Sequence, residues 1–151
     1  MTLAISETLH PSVLSDWNEA SPPRVVLVEE QPAYRRALGE LVEESLHFIV
    51  VGEASDGSAA SELTDTLGPD LVLVSAGGDH MDSVSVTRRL VSEHPDLRVI
   101  AVSMYRDRQY AEAMMNAGAS AHVMKDRAHE ELPLALEAIA CGSRFVTSEL
   151  R

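Results

Sequence analysis

The sequence predicts an α/β domain built on a doubly wound parallel sheet with helices on both faces. Two observations predict this fold: five short apolar runs are spread along the chain, and an apolar pattern with helical spacing follows each run. Strands that are buried on both faces are nearly continuous in apolar residues, and regular alternation of strand and helix is typical of right-handed βαβ units. The chain has 151 residues, which is enough for one such domain.

The first three helices are bounded by residues that begin or end a helix. Pro32 can open the first helix, because a proline at that position gives up no hydrogen bond. A turn at Asp56-Gly57 precedes the second helix, which ends at Gly68-Pro69. Asp82 is a candidate N-cap for the third helix, which ends at His94-Pro95. The predicted strands are residues 24–29, 48–51, 71–74, 97–102 and 121–124.

The last two helices are each followed by a glycine, Gly118 and Gly142, which is the usual residue just past a helix end. A proline is tolerated only in the first turn of a helix, because farther along it removes a hydrogen bond and clashes with the preceding turn. Pro133 therefore predicts that the fifth helix begins near Glu130.

Residues 1–23 differ in composition from the rest of the chain. They contain three prolines and three acidic residues but no lysine or arginine. We interpret this segment as a flexible N-terminal arm. The alternative is an arm that docks through one helical face, formed by Leu9, Val13, Leu14 and Trp17.

The composition argues against several classes of function. Acidic residues number 24 against 12 lysines plus arginines, which gives a net charge of -12. Nucleic acids and anionic membranes are bound by clustered cations, so we expect this segment to bind neither directly. Neither a membrane span nor a signal peptide is evident. Cys141 is the only cysteine, which excludes an internal disulfide and fits a reducing, cytoplasmic location.

Polar residues follow the predicted strands where the chain leaves the sheet. Glu29 and Glu30 end the first strand, Ser103 ends the fourth and Lys125 ends the fifth. Ligands of such folds bind at the carboxyl ends of the strands, so these side chains should converge on one pocket. Carboxylates suit a divalent cation, and an ammonium and a hydroxyl suit phosphoryl oxygens. At the end of the central third strand, where a phosphoryl acceptor should stand, the chain has Ser75.

Four stretches, residues 25–32, 69–75, 95–103 and 117–126, resemble the receiver domain of bacterial response regulators, especially the NarL/FixJ branch. The resemblance covers residues 24–148 and implies a CheY-like fold with five helices and five strands in the order 2-1-3-4-5. In that branch a linker and a helix-turn-helix domain follow at about this point. Residues 149–151 are therefore either the end of a stand-alone receiver or the start of such a linker.

The resemblance also implies roles for individual residues. The acidic pair of the family falls on Glu29 and Glu30, its hydroxyl on Ser103 and its lysine on Lys125. The phospho-acceptor aspartate falls on Ser75, which is the main departure from the family. Three further departures are Asp79 and Ser83, where a proline and a glycine are usual, and His122, at the aromatic switch position on the fifth strand.

These departures weaken the phosphorylation chemistry. A serine hydroxyl needs an adjacent base, and we find no histidine placed by sequence to serve Ser75. A Mg²⁺ site would rest on Glu29, Glu30 and a backbone carbonyl near Gly77, so we expect weak binding or none. Asp79 could supply a substitute carboxylate. The alternative for the acidic pair is a structural ion pair with Lys125.

The predicted function is that of a pseudo-receiver, which is not an enzyme and signals through protein partners without aspartyl phosphorylation. The resemblance further implies a role as the regulatory part of a NarL/FixJ-type transcription regulator. Two alternatives stay open: a receiver that is phosphorylated or binds phosphate through a substitute acceptor, and a small-molecule sensor. We expect partners on the face of helix four, strand five and helix five, and a weak homodimer through helices one and five or the helix-four face. The residues expected on the partner face are Tyr110, Glu112, His122, Arg127 and Glu131. No zinc site is predicted, because the histidines lack metal-ligand spacing.

Overall fold

The computed structural model describes residues 21–45, 47–76, 82–104 and 106–147. Most of the predicted N-terminal arm lies outside this part of the chain, as do Gly77, Asp79 and residues 149–151. The predictions made for those residues therefore have no structural counterpart here.

The described residues form a parallel sheet in which the strands run in the order β2-β1-β3-β4-β5-β6. This arrangement confirms the doubly wound fold and the order predicted for the first five strands. A short sixth strand extends the predicted five-stranded sheet: it pairs with β5 through two residues, too few to leave a pattern in the sequence. The strands are β1 (Arg24–Val28), β2 (Ile49–Ala54), β3 (Leu71–Ala76), β4 (Arg98–Ser103), β5 (Ala121–Met124) and β6 (Phe145–Val146).

Five α-helices connect the strands: α1 (Pro32–Glu40), α2 (Gly57–Leu67), α3 (Ser83–Glu93), α4 (Arg108–Asn116) and α5 (Ala128–Ala140). A π-helical turn at Leu41–Ser45 extends α1, and a 3₁₀ turn at Lys125–Arg127 leads into α5. None of these helices, within the described part of the chain, has the length and apolar character needed to cross a bilayer.

The helix ends confirm the predicted boundary signals. The Asp56 carboxylate accepts a hydrogen bond from the amide of Ala59, and the Asp82 carboxylate accepts one from the amide of Ser85. Each bond satisfies an amide that the first turn of a helix leaves without a partner. Gly68 ends α2 in the left-handed region, at φ 55°, where a side chain would be strained.

The predicted start of the fifth helix was wrong, because α5 begins at Ala128 and contains Pro133 in its interior. Pro133 lies on the exposed side of α5, as does His129, whose carbonyl loses its helical partner to the proline. Water can satisfy that carbonyl. The opposite side of α5 is held by apolar burial against the sheet, through Leu132, Ala135 and Ile139.

Two apolar layers flank the sheet and fix the strand ends that carry the site. Helices α1 and α5 cover one face, where Leu38 and Leu132 pack against strand residues such as Leu73. Helices α2, α3 and α4 cover the other face, which a cluster around Leu90 and a second one around Met114 fill. The central strand β3 is thus buried on both sides, and Ser75 near its end is buried as well.

Candidate functional site

The centre of the candidate site is the carboxylate of Glu29, which lies directly after β1 and is only 2% exposed. Its Oε1 accepts a hydrogen bond from the hydroxyl of Ser75 at 2.6 Å and another from Nζ of Lys125 at 2.9 Å. Its Oε2 accepts the backbone amide of Gln31 at 2.9 Å. The structure therefore brings together three elements that are far apart in the sequence: the ends of β1, β3 and β5.

The backbone at Glu29 is fixed from both neighbouring elements. Its amide donates to the carbonyl of Ala54 on β2 at 2.9 Å, and its carbonyl accepts Nη1 of Arg35 on α1 at 2.7 Å. Arg35 also pairs with Glu53 at 3.2 Å. These contacts aim the Glu29 side chain inward, toward β3, at the edge where the strands end.

The ion pair between Glu29 and Lys125 is buried, with side chains 3% and 5% exposed. Burial by itself raises the pKa of Glu29. The hydrogen bonds from Ser75, the Gln31 amide and Lys125, together with the Lys125 charge, outweigh burial and hold the pKa of Glu29 below its ordinary value. The ammonium of Lys125 also lies 4.5 Å from the centre of the Tyr34 ring, a cation–π contact.

Ser75 has a possible base that the sequence analysis missed. No histidine is placed by sequence to serve Ser75, but the Glu29 carboxylate accepts the hydrogen bond of the Ser75 hydroxyl. A general base works best when its pKa lies near the working pH. Because the pKa of Glu29 is lowered, this carboxylate orients the Ser75 hydroxyl but is a weak acceptor for its proton.

The other two predicted pocket residues lie at neighbouring strand ends. Ser103 is fully buried at the end of β4, where it stands opposite Ala76 of β3 and Met124 of β5 in the sheet register. Glu30 is only partly buried and lies in the loop between β1 and α1. The two adjacent glutamates thus differ in burial: Glu29 is buried inside the domain, whereas Glu30 is partly exposed.

His122 and Glu131 do not belong to an accessible partner face, contrary to the prediction. Both are buried, with exposed fractions of 0% and 2%. Neither ring nitrogen of His122 has a hydrogen-bond partner among the residues that the structure describes, and the ring of Tyr110 packs edge-on against it. Burial lowers the pKa of His122, and the opposing charge of Glu131 does not compensate, so the ring is neutral at pH 7.

The donor set around Glu29 does not fit a magnesium site. Mg²⁺ requires oxygen ligands with free lone pairs in near-octahedral geometry. Oε1 of Glu29 already accepts two hydrogen bonds, and one of these comes from an ammonium that a cation would repel. Of the carboxylates that were predicted to bind the metal, Glu29 is therefore already engaged within the protein.

A cluster that the sequence did not indicate lies at the opposite end of the sheet. Ligand-type atoms of Asp65, Glu93 and His94 all lie within 4.8 Å of one another. Each already has a protein partner: His94 contacts Asp65 at 2.8 Å, and Glu93 accepts the Ser61 hydroxyl at 3.1 Å. These side chains therefore form a hydrogen-bonded network at the surface between α2 and α3, which explains their proximity without a metal ion.

A doubly wound parallel sheet with acidic residues after β1 and a lysine after β5 defines a receiver-type α/β domain. The profile of the family described as "Response regulator receiver domain" matches residues 25–137. The chain therefore belongs to the response regulator receiver domain family, whose members act in two-component signalling and transcription regulation.

Known relatives and structures agree with this assignment. The transcriptional regulatory protein DegU of Brevibacillus brevis is 25% identical over 123 residues, which cover 82% of this chain and 52% of that protein. A LuxR-family two-component response regulator from Aurantimonas sp. SI85-9A1 has a TM-score of 0.79 at 28% identity and covers 86% of this chain and 93% of its own. The receiver domain of the putative response regulator NarL from Mycobacterium tuberculosis has a TM-score of 0.71 at 29% identity, covering 80% and 97%. The chain spans about half the length of DegU.

Proposed function

We propose that this receiver signals through protein contacts in the cytoplasm without aspartyl phosphorylation, as the regulatory part of a NarL/FixJ-type regulator. The observation that supports it is the closed triad of Ser75, Glu29 and Lys125. A receiver that is phosphorylated on this strand end needs an ionised acceptor carboxylate that is open to a phosphodonor. Here a neutral hydroxyl stands there, and it donates inward to a buried carboxylate.

The same triad argues against Ser75 as a substitute acceptor. For attack on phosphorus the hydroxyl must lose its proton, and its partner is a carboxylate whose pKa is lowered. Lys125, which would otherwise be available to a phosphoryl oxygen, is instead committed to Glu29 at 2.9 Å. We propose that magnesium binding is weak or absent for the same reason.

The alternative of a small-molecule sensor has little room at this site. A cavity of about 110 Å³ lies beside the triad, lined by Tyr34, Leu38, Val102 and Ala128 as well as by Ser75 and Lys125. Ligand pockets usually measure about 300–1,000 Å³. A cavity of this size holds a few water molecules at most.

The partner surface that we propose is the exposed part of α4, the β5 end and α5. Glu112 and Arg127 remain accessible there, and Met104, 54% exposed, lies on the loop that precedes α4. A weak homodimer through α1 and α5 would use Tyr34 and Leu134, which are 41% and 52% exposed. Apolar side chains of this size at a helix surface are typical of contact sites when several lie together.

The proposal is tested by incubating the protein with Mg²⁺ and a small phosphodonor and measuring its intact mass. We expect no added phosphoryl mass on the wild-type chain. Ser75→Ala is the matched control, because it removes the hydroxyl and leaves the other pocket residues unchanged. Acid-stable phosphate that disappears in Ser75→Ala would contradict the proposal. A hydroxylamine-labile adduct that persists in Ser75→Ala and disappears in Asp79→Asn would instead support a substitute acceptor.

A further inference from the structure

A second buried carboxylate lies beyond the candidate site, on α5. Glu131 is 2% exposed, yet no lysine or arginine accounts for its burial among the contacts of the described residues. Its Oε1 accepts the backbone amide of Met124 at 3.0 Å, and its Oε2 accepts the hydroxyl of Thr147 at 2.6 Å. Buried ionisable groups are costly unless they are fully hydrogen-bonded, so each of these two bonds is required.

Thr147 directly follows β6, and we call β6 together with Thr147 the exit segment. Thr147 is fully buried, and its amide donates to the carbonyl of His122 at 2.8 Å, which continues the pairing of β5 with β6. A strand of two residues has few ladder bonds of its own. The side-chain bond to Glu131 therefore adds to the core packing of Phe145 and to the ladder bonds in holding this segment on the domain, and it is the side-chain bond made by Thr147 itself.

The second residue that Glu131 contacts, Met124, lies next to the candidate site. Met124, whose amide Glu131 holds, immediately precedes Lys125 in the chain. Lys125 in turn binds Glu29, which binds Ser75. Glu131 is thus hydrogen-bonded to the exit segment on one side and, on the other, to the residue whose peptide bond leads to the pocket lysine.

We propose that Glu131 is a latch that couples the state of the triad to the position of the exit segment at Thr147. The inference rests on the proposed function, because it names the contact by which a rearrangement of the triad would change the position of the exit segment. If Lys125 shifts, the strand end at Met124 shifts with it and the carboxylate loses one of its two bonds. A carboxylate so placed is stable when both bonds are made or when it is hydrated, so the latch has a closed and an open arrangement. Coupling needs such a two-state element, and a connected series of contacts alone does not establish it.

The test measures hydrogen exchange of the Thr147 amide by NMR, while central amides of β1 and β3 report global unfolding. Thr147→Val keeps the shape of the side chain and removes the hydroxyl; we expect exchange at residue 147 to rise about tenfold or more relative to the β1 and β3 amides. Thr147→Ser should restore the wild-type rate. Thr66→Val is the matched control, since it removes an exposed hydroxyl bond within α2.

Coupling is measured by disturbing the pocket. Lys125→Met breaks the contact with Glu29, and we expect it to speed exchange at Thr147 several-fold more than at the central β1 and β3 amides. In the double variant with Thr147→Val, we expect Lys125→Met to speed this exchange little beyond the rate of Thr147→Val alone. Ser75→Ala, a milder change in the same pocket, provides the measurement if Lys125→Met does not fold. Glu131→Gln should weaken the latch more than Glu130→Gln, its exposed neighbour. If neither pocket variant speeds exchange at Thr147 more than at the central strand amides, or if the pocket and Thr147→Val effects simply add, the proposal is overturned.

These outcomes are separate from those of the phosphorylation experiment. Phosphate on Ser75 would defeat the proposed function and leave the exchange data intact. Absence of coupling would defeat the latch and leave the phosphorylation result intact.

Discussion

The hydroxyl of Ser75 donates to Oε1 of Glu29 at 2.6 Å, inside the sheet and out of contact with solvent. The same oxygen accepts a hydrogen bond from Lys125, so one negative and one positive charge are in direct contact and the neutral hydroxyl is a second donor to the carboxylate. An additional carboxylate at position 75 would upset this balance. The pocket therefore favours a balanced ion pair between Glu29 and Lys125.

Replacing Ser75 by alanine should have a small effect on stability. Oε1 of Glu29 keeps its bond to Lys125, so no charged group is left without a partner. The loss is that of one buried hydrogen bond, about 1–2 kcal/mol. Urea unfolding of wild type and Ser75→Ala measures it. A loss above about 4 kcal/mol would show that the hydroxyl supports more than this one contact.

Replacing Glu29 by glutamine should have a large effect at neutral pH. It leaves the buried ammonium of Lys125 without its counter-charge, and breaking a buried pair in this way costs about 3–5 kcal/mol. Glu53→Gln, at an exposed pair with Arg35, is the control and should cost less than about 1 kcal/mol.

The effect of Glu29→Gln should also depend on pH. The pKa of Glu29 is lower in the folded than in the unfolded chain, so the stabilisation it provides is present above the unfolded pKa, about 4.5, and is lost as the pH falls through the folded pKa. The wild-type protein should therefore lose its advantage over Glu29→Gln at acid pH. Urea unfolding at pH 7, 5 and 3.5 tests this; an advantage that is undiminished at pH 3.5 would contradict it.

The strand–helix order and the pocket were predictable from the sequence because both depend on local signals. Apolar runs, caps such as Asp82 and the polar residues that follow the strands are all local in the chain. The triad itself was only partly predictable, since the contact of Glu29 with Ser75 depends on side-chain direction across 46 positions. The ion pair with Lys125 was one of two alternatives, and the structure contains it.

Other features could not be predicted because burial overrides local preference. His122 is a polar residue on a strand of four, and its sequence does not show that both ring nitrogens are sealed in. Glu131 was expected on the surface, as a charged residue in the first turn of a helix usually is. Its partner Thr147 follows a strand of two residues that has no detectable pattern.

His122 should make the stability of the domain fall as the pH drops below neutral. Its pKa is lower in the folded than in the unfolded chain, so the unfolded chain binds the proton more readily and stability is lost from about pH 6.5 downward. His122→Phe removes this titration and two buried nitrogens without partners among the described residues, so it should flatten the decline between pH 7 and 5 and add about 1 kcal/mol or more at pH 5. The measurement is urea unfolding across this range. Thr66→Val, at an exposed position without a titratable group, is the control and should leave the slope unchanged; a slope in His122→Phe equal to that of wild type would contradict the prediction.

Replacing Ser75 by aspartate should destabilise the metal-free protein and create a site for Mg²⁺. The new carboxylate would lie against the Glu29 carboxylate in a buried place where Lys125 supplies one positive charge for both. Two carboxylates so close raise the pKa of one of them, so the loss of stability should be present at pH 7 and should shrink as the pH falls toward 5 and that group is protonated.

A divalent cation would neutralise the excess charge and could use the new carboxylate together with Glu30. Calorimetric titration should therefore show tighter Mg²⁺ binding by Ser75→Asp than by wild type, together with a Mg²⁺-dependent rise in the melting temperature of the variant alone. Ser75→Asn is the matched control, because it has the same shape without the charge and should gain neither property. Equal Mg²⁺ affinity in wild type and Ser75→Asp would show that the charge at position 75 does not limit metal binding.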